Sequence, residues 1–335
     1  ALSSLLYAFP GFWPLLIGRL LWGITWAGIW IGGSTVVLDV ATPGNRGRMV
    51  GRLQMWSYLG LGVTAIVGGL LTDTFDYTTP FIISAVLNVL AAVAWWLFLP
   101  ETHPDTPRTS PNVVHTPEAS AANTAPVPAL TIASKPIPVV SHGAMLTAVV
   151  LLGLNWLFFL GALGAVLSLL LQERIGATVL LIGLTLEIST FTGTVAVAKE
   201  VCSLITSPLA GWLSDRQGRR WWLIVIAVAL GIISLALVAV SEGVVLLLAI
   251  LLTAVVSGVL QTQSMTLAGD YARSNQHGRI IGLLNTVGDV GSAGGPLLAF
   301  ALLPIVGLSG VFTLAALLMT VFLPLVIYRA WREGH

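Results

Sequence analysis

One arginine and three tryptophans follow each other at helical spacing in an apolar stretch near the start of the chain. Arg19, Trp22, Trp26 and Trp30 are three or four positions apart, so on a helix they would share one face. A cation beside indole rings can bind an amphipathic organic solute through charge and ring contacts. Indoles also pack between helices or face lipid, and the sequence leaves both interpretations of the tryptophans open.

Other polar side chains interrupt long apolar stretches further along the chain. Such groups are costly in a bilayer, which makes them candidates for contact with a substrate or a coupling ion. Thr253, Ser257, Gln261 and Ser264 form a stripe that could border a cavity or only bond helices together. The remaining candidates are Asn155, Lys199, Glu200 and Asp289.

Asp289 is the candidate for ion coupling. It follows Arg279 by ten residues, which places it about 15 Å into a membrane helix and near the middle of a core about 30 Å thick. Burial disfavours a charged carboxylate, so an acid wetted from each side in turn could carry a proton. A structural ion pair with Lys199 and direct contact with substrate are the alternatives.

Composition assigns the chain to the membrane. Charged residues are 9% of the sequence, against about 25% in an ordinary soluble domain, and the mean hydropathy is +0.93. The single cysteine, Cys202, excludes an internal disulfide. The sequence shows no nucleotide-binding P-loop and no intramembrane histidine cluster. We therefore expect neither an ATP-driven pump nor an intramembrane enzyme. Its net charge of +1 does not indicate a nucleic-acid partner, and we expect none.

Nine apolar stretches are long enough to cross a bilayer as helices, which predicts an all-α polytopic protein. They are separated into two groups by residues 101–142, which contain eight prolines and many Thr, Ser and Ala and predict a flexible linker. We therefore divide the chain into a first helical bundle at 1–100, the linker, and a six-helix bundle at 143–335. The predicted spans are 14–38, 54–72, 80–99, 144–171, 189–213, 221–240, 244–268, 280–303 and 308–328.

The distribution of Lys and Arg predicts the orientation of these spans. With the loop after residue 38 in the cytoplasm, twelve of the fifteen basic residues lie on the cytoplasmic side. The linker and the C-terminus are then cytoplasmic, and the protein belongs to the plasma (cell inner) membrane. The apolar stretch at 177–189 is too short to cross alone, so we predict an outer loop or an extended start of the next helix.

The same polar turn occurs twice in the sequence. "DVATPGNRGRMVGRLQ" from Asp39 and "DYARSNQHGRIIGLLN" from Asp270 align at an offset of 231 positions, with six identities. Each copy is a basic loop that enters a Gly-rich span. Two such loops on one side of the membrane indicate two halves of parallel topology, an arrangement found in secondary transporters.

A third polar segment carries the most specific motif. "GWLSDRQGRR" resembles the signature loop of the major facilitator superfamily, G-x-L-(small)-D-R-x-G-R-R/K. "RLLWGITWAG" resembles that family's R-x-x-Q-G motif, with Trp22 in place of the glutamine. The glycine-proline motif of the fifth helix is incomplete in both halves. The residues that match the loop are Gly211, Leu213, Asp215, Arg216, Gly218, Arg219 and Arg220.

The resemblance implies a fold and a mechanism. It covers family helices four to twelve and the end of the third, so we expect the opening helices to be missing from this chain. It implies a monomeric secondary active transporter for a small organic solute, driven without a cofactor by an ion gradient, for which we expect protons. It also implies that the loop around Asp215, with Arg48 and Arg279, gates the cytoplasmic side. A transporter-like sensor or a truncated remnant is the alternative.

Overall fold

The structure is a computed structural model that describes residues 1–98, 142–176, 178–181, 184–272 and 277–333. Almost all of the linker predicted at 101–142 lies outside the described residues. The helices are α1 (Leu2–Tyr7), α2 (Phe12–Val40), α3 (Arg46–Thr74), α4 (Thr79–Phe98), α5 (His142–Asn155), a π-helix (Trp156–Ala162), α6 (Leu163–Arg174), α7 (Ile188–Gln217), α8 (Arg220–Val240), α9 (Gly243–Tyr271) and α10 (His277–Glu333); two strands, β1 (Thr178–Leu181) and β2 (Leu184–Glu187), precede α7.

The helices are long enough to span a membrane. Six helical segments of the described residues are both long and apolar enough to cross, and α3 and α7 add 29 and 30 residues, about 44 Å each. The last segment, α10, is broken at Gly307, whose φ of 68° favours glycine, so it forms two spans. With α3 and α7 added and α10 counted as two, the described residues contain nine helices long enough to span a membrane. The predicted all-α polytopic fold is confirmed.

The apolar stretch before α7 forms a short hairpin. Strands β1 and β2 pair antiparallel, with Thr178 opposite Glu187 and Leu181 opposite Leu184, and α7 begins directly afterwards. The stretch is rich in Thr, Val, Leu and Ile, of which the β-branched residues favour strands. The stretch does not form a tenth span, as predicted. It forms a β-hairpin, however, and not the outer loop or helix extension that the sequence predicted.

Two apolar cores organise the packing. The larger one lies inside α5–α10 and includes Leu163, Ile224, Ile250 and Phe312, all nearly inaccessible to solvent. The smaller one joins the first half of the chain, residues 1–98, to the second half, residues 142–333. In the smaller core, Leu38 and Val50 pack with Val149, Met265 and Ile281.

The two halves approach each other closely where the basic residues lie. At this end α2 and α9 finish and α3 and α10 begin, so the described parts of both copies of the repeated turn lie on one face, as the parallel repeat predicts. We call it the basic face, defined by Arg46, Arg48, Arg216, Arg219 and Arg279. Close backbone contact requires glycine there, because a Cβ on Gly51 would lie 2.6 Å from the carbonyl oxygen of Ser207.

Candidate functional site

A cavity lies between the two halves. It encloses about 870 Å³, including the part open to solvent, and its walls come from α2, α3, the π-helix, α7 and α9. Most of its surface is apolar and aromatic, with a few polar groups. The lining residues are Trp26, Trp30, Gln54, Ser57, Tyr58, Leu61, Trp156, Phe159, Leu160, Lys199, Glu200, Ser203, Thr253, Ala254, Ser257 and Gln261.

The tryptophans of α2 form a stacked column that runs into the cavity. The rings of Trp22 and Trp26 are 5.6 Å apart and those of Trp26 and Trp30 are 5.7 Å apart, with interplanar angles of 14° and 13°. Arg19 caps the column, with its guanidinium carbon 5.2 Å from the Trp22 ring. Trp26 and Trp30 line the cavity, whereas Arg19 and Trp22 extend the column beyond it.

A π-helical segment shapes the opposite wall. Trp156–Ala162 interrupts one long helix with wider turns, a geometry often found at functional sites. The Trp156 indole Nε1–H donates to the Gln261 side-chain oxygen at 2.5 Å, which fixes both side chains at the cavity surface. Sequence reasoning selected Gln261 but missed Trp156, because no periodic pattern predicts a π-helix.

The polar stripe on α9 faces the cavity only in part. Thr253, Ser257 and Gln261 line it, but Ser264 is fully buried outside the lining. Asn155 is also fully buried outside the lining, and its amide atoms have no hydrogen-bond partner among the described residues. The prediction of substrate contact therefore finds support from the geometry for Gln261 and none for Asn155.

Lys199 and Glu200 are the charged groups that line the cavity. No carboxylate of the described residues lies within 4 Å of the Lys199 ammonium, and one carboxylate oxygen of Glu200 is buried without a hydrogen-bond partner among them. Charged groups in these surroundings are costly inside a membrane, which makes both residues candidates for binding a solute or an ion.

Asp289 lies outside the cavity. The face of α10 that packs on the π-helix is made by glycines such as Gly288 and Gly291, whose positions leave no room for a Cβ. Asp289 is turned about 100° away from Gly288 and its side chain is exposed. The structure therefore does not form the predicted pair with Lys199 among the described residues.

The Asp215 loop joins the halves at the basic face. The buried Asp215 carboxylate accepts the backbone N–H groups of Gly47 and Arg48, at 2.9 and 2.7 Å, where α3 begins. The negative charge therefore meets the positive end of that helix dipole. Arg220 lies 3.4 Å from the same carboxylate, and the Arg48 Nε lies 3.8 Å away.

The other predicted residues of this gating loop have simpler surroundings. Gly211 packs against the Gly47 backbone, and Gly218 turns the chain between α7 and α8 with a φ of 65°. Arg216 stacks over Trp212 at 5.3 Å. Arg219 and Arg279 are exposed, and no carboxylate of the described residues lies within 4 Å of either.

Sequence reasoning missed four residues that connect the halves through charge. The Arg46 guanidinium lies 2.5 Å from the Asp270 carboxylate, which also receives Arg220 at 2.5 Å. The Asp39 carboxylate lies 2.8 Å from the His277 Nδ1. Asp39 and Asp270 are the first residues of the repeated turns, so the repeat was the signal that could have identified them.

The comparisons with known proteins identify the family. The family model described as Major Facilitator Superfamily matches residues 1–200 and 189–335. The chain therefore belongs to this superfamily of membrane transporters. No curated protein sequence matches it significantly.

Two solved structures share the fold. The human organic anion transporter MFSD10 (TETRAN) is 20% identical, with a TM-score of 0.69 over 97% of this chain and 74% of that one. A bacterial homologue of the iron transporter ferroportin, in an outward-facing state, is 14% identical, with a TM-score of 0.58 over 99% and 82%. At these identities the similarity establishes the fold and leaves the substrate open.

Proposed function

We propose that this transporter is a secondary active carrier that moves a small amphipathic organic solute by alternating access. The observation that carries the proposal is the cavity between the halves, where indoles meet an ammonium and a carboxylate that form no salt bridge within 4 Å among the described residues. The halves also contact each other at the basic face, which the charge rule assigns to the cytoplasm. The conformation that we propose for this structure is therefore one in which the inner side is closed.

The cavity walls favour a solute with a planar apolar part and a charged group. Indole faces stack on flat rings, and the long aromatic column continues this surface beyond the cavity. Lys199 offers a cation for a carboxylate, sulfate or phosphate group, whereas Glu200 offers an anion for an amine. The related fold of an organic anion transporter favours the first choice.

Proton coupling would use a carboxylate that faces each side in turn. Glu200 meets this requirement by its place in the cavity. Asp289, selected from the sequence, is the second candidate, although it lies outside the cavity. The function needs no bound cofactor, since the ion gradient supplies the energy. A monomer suffices, because the cavity forms within one chain.

Transport assays in proteoliposomes test this function. Aromatic organic anions, aromatic cations and neutral sugars would be offered to the reconstituted protein, with and without an imposed pH gradient. We expect uptake of an aromatic anion that falls by up to about tenfold in Trp30→Leu, because a lost aromatic contact weakens binding. Trp96→Leu is the matched control, since Trp96 on α4 is 84% exposed and does not line the cavity.

The same experiment can refute the proposal. Uptake of only the sugar, or equal losses in both tryptophan variants, would contradict the aromatic site. Saturable quenching of tryptophan fluorescence by a ligand that is never transported would favour the alternative, a transporter-like sensor.

A further inference from the structure

The two copies of the repeated turn exchange ionic partners. The offset of 231 positions aligns Asp39 with Asp270 and Arg46 with His277. In the structure Asp270 of the second half pairs with Arg46 of the first, and Asp39 of the first half pairs with His277 of the second. The two contacts are therefore equivalent by the repeat, and each connects opposite halves.

The two equivalent contacts differ in one chemical respect. Arginine keeps its charge at every physiological pH, whereas histidine is the side chain whose charge ordinarily changes between about pH 5 and 8. Because an ionised carboxylate only accepts hydrogen bonds, the Nδ1 of His277 donates to ionised Asp39 in both charge states of the imidazole. Deprotonation at Nε2 therefore keeps the hydrogen bond and removes the ionic attraction.

Burial increases the effect of that charge. The side chains of His277 and Asp39 are only 4% and 8% exposed, so solvent screens their interaction weakly. Among the described residues, Asp39 is the only carboxylate within 4 Å of the His277 imidazole. The other titratable and charged groups of the described residues at this end are Arg46, Arg48 and Arg52 on α3, His142 at the start of α5, Asp215 and Arg216 on α7, Arg219 and Arg220 at the start of α8, Asp270 and Tyr271 on α9, and Arg279, Tyr328, Arg329, Arg332 and Glu333 on α10 itself.

We infer that the contact between Asp39 and His277 makes closure of the basic face sensitive to the pH on that side. The inference rests on the proposed alternating access, and it concerns the control of the cycle rather than the substrate. Protonated His277 attracts Asp39 across the halves and stabilises the closed state. When the halves separate, the imidazole loses this partner and the attraction between the two side chains is lost.

The direction of the pH effect follows from this linkage. A protonated His277 adds an attraction that exists only in the closed state, and an interaction made in one state alone shifts the population toward that state. Acidification of the basic face therefore keeps it closed, and a rise in pH favours its opening. The pair between Arg46 and Asp270 contributes to closure without changing over the same range, because the arginine stays charged.

Distances between spin labels in the full chain, reconstituted in liposomes, test the inference. Labels at Thr42→Cys and Gln217→Cys, in a Cys202→Ser background, report the separation of the halves at two exposed positions of the basic face. The ratio of closed to open molecules would be measured between about pH 6 and 8, without added solute. We expect that ratio to fall about fivefold or more over this range, the lower end of typical coupling.

Three variants separate the role of His277 from a general effect of pH. His277→Arg recreates the pair of the other half and should keep the face closed at both pH values. Asp39→Asn removes the charge partner, so the closed fraction should be low and independent of pH. Arg46→His should make the second contact titratable and increase the pH dependence.

Several outcomes would overturn the inference. A ratio that does not change with pH in the wild type would do so, as would pH dependence that persists in both His277→Arg and Asp39→Asn. If His277→Arg does not fold, the pH dependence of Asp39→Asn tests the inference by itself, since this variant only changes a carboxylate to an amide of the same size. Because the distances are measured without solute, this result is independent of whether the proposed substrate class is correct.

Discussion

The carboxylate of Asp215 caps the first turn of α3 through the backbone of Gly47, although the two residues belong to different halves of the chain. The contact is 2.9 Å long and the Asp215 side chain is inaccessible to solvent. The same interface contains the ion pair between Arg46 and Asp270 and the close approach of Gly51 to the Ser207 carbonyl. Separation of the halves at the basic face must therefore break a charge contact with a helix terminus.

Replacement of Asp215 by asparagine should slow transport more than it weakens substrate binding. The variant loses the negative charge at the α3 terminus, which can stabilise a helix by up to about 2 kcal/mol, so we expect turnover to fall about tenfold. Uptake rates and fluorescence binding measured on one preparation would separate the two quantities. Glu242→Gln, at an acid 72% exposed at the start of α9, is the control. A loss of affinity alone would show that Asp215 does not act in gating.

Replacement of Gly51 by alanine should prevent full closure of the basic face. The added methyl would meet the Ser207 carbonyl, and overpacking of this kind costs about 1–3 kcal/mol, equivalent to about fivefold or more in the closed population. Gly60→Ala on the same helix is the matched control, because a Cβ there meets no atom within 4 Å. Labelling of a cysteine placed in the closed interface should become faster only in Gly51→Ala, and equal rates in the two variants would contradict the prediction.

Replacement of Glu200 by glutamine should uncouple transport from the pH gradient, since we propose that Glu200 carries the proton. We expect Glu200→Gln to lose accumulation against a gradient by about tenfold while it keeps solute exchange at equal pH, because exchange needs no proton transfer. Asp289→Asn, made in parallel, tests the residue selected from the sequence. Uncoupling by the second variant alone would restore Asp289 as the carrier, and intact coupling in both would exclude both.

Asp76 should stabilise the start of α4 less as the pH falls. Its Oδ1 accepts the hydroxyl and backbone N–H groups of Thr78 and Thr79, and the Thr78 hydroxyl is the main cause that lowers the pKa of the Asp76 carboxyl. A lowered pKa means that the stabilisation is present above the ordinary value near 4 and is lost as the pH falls through the folded value.

Thermal unfolding in detergent, from about pH 6 to about pH 3, measures this contribution. The midpoint of Asp76→Asn should lie below that of the wild type at pH 6, and the difference should shrink toward acid pH, where the wild-type carboxyl also becomes neutral. A difference that stays constant over the range would show that the charge of Asp76 does not stabilise the cap.

The sequence by itself determined the class of fold, because the cause lies in local composition. A bilayer requires long apolar helices that satisfy their own backbone, so hydropathy alone indicated the spans that the structure contains. The repeated turns predicted parallel halves for a similar reason, since each copy carries its own loop and span. The motif around Asp215 likewise indicated the superfamily and the face on which the halves meet.

Only the tertiary structure decided which polar residues meet. Trp26 and Trp30 line the cavity, whereas Asp289 does not. Asp289 is excluded because the close packing of the α10 glycines on the π-helix sets the rotation of α10. The sequence also did not predict the hairpin before α7 or the position of Trp156 in the cavity wall. Neither a β-hairpin nor a π-helix follows the 3.6-residue period of an α-helix. The contact between Asp39 and His277 joins residues 238 positions apart, and it depends on how the two halves pack, which no local pattern encodes.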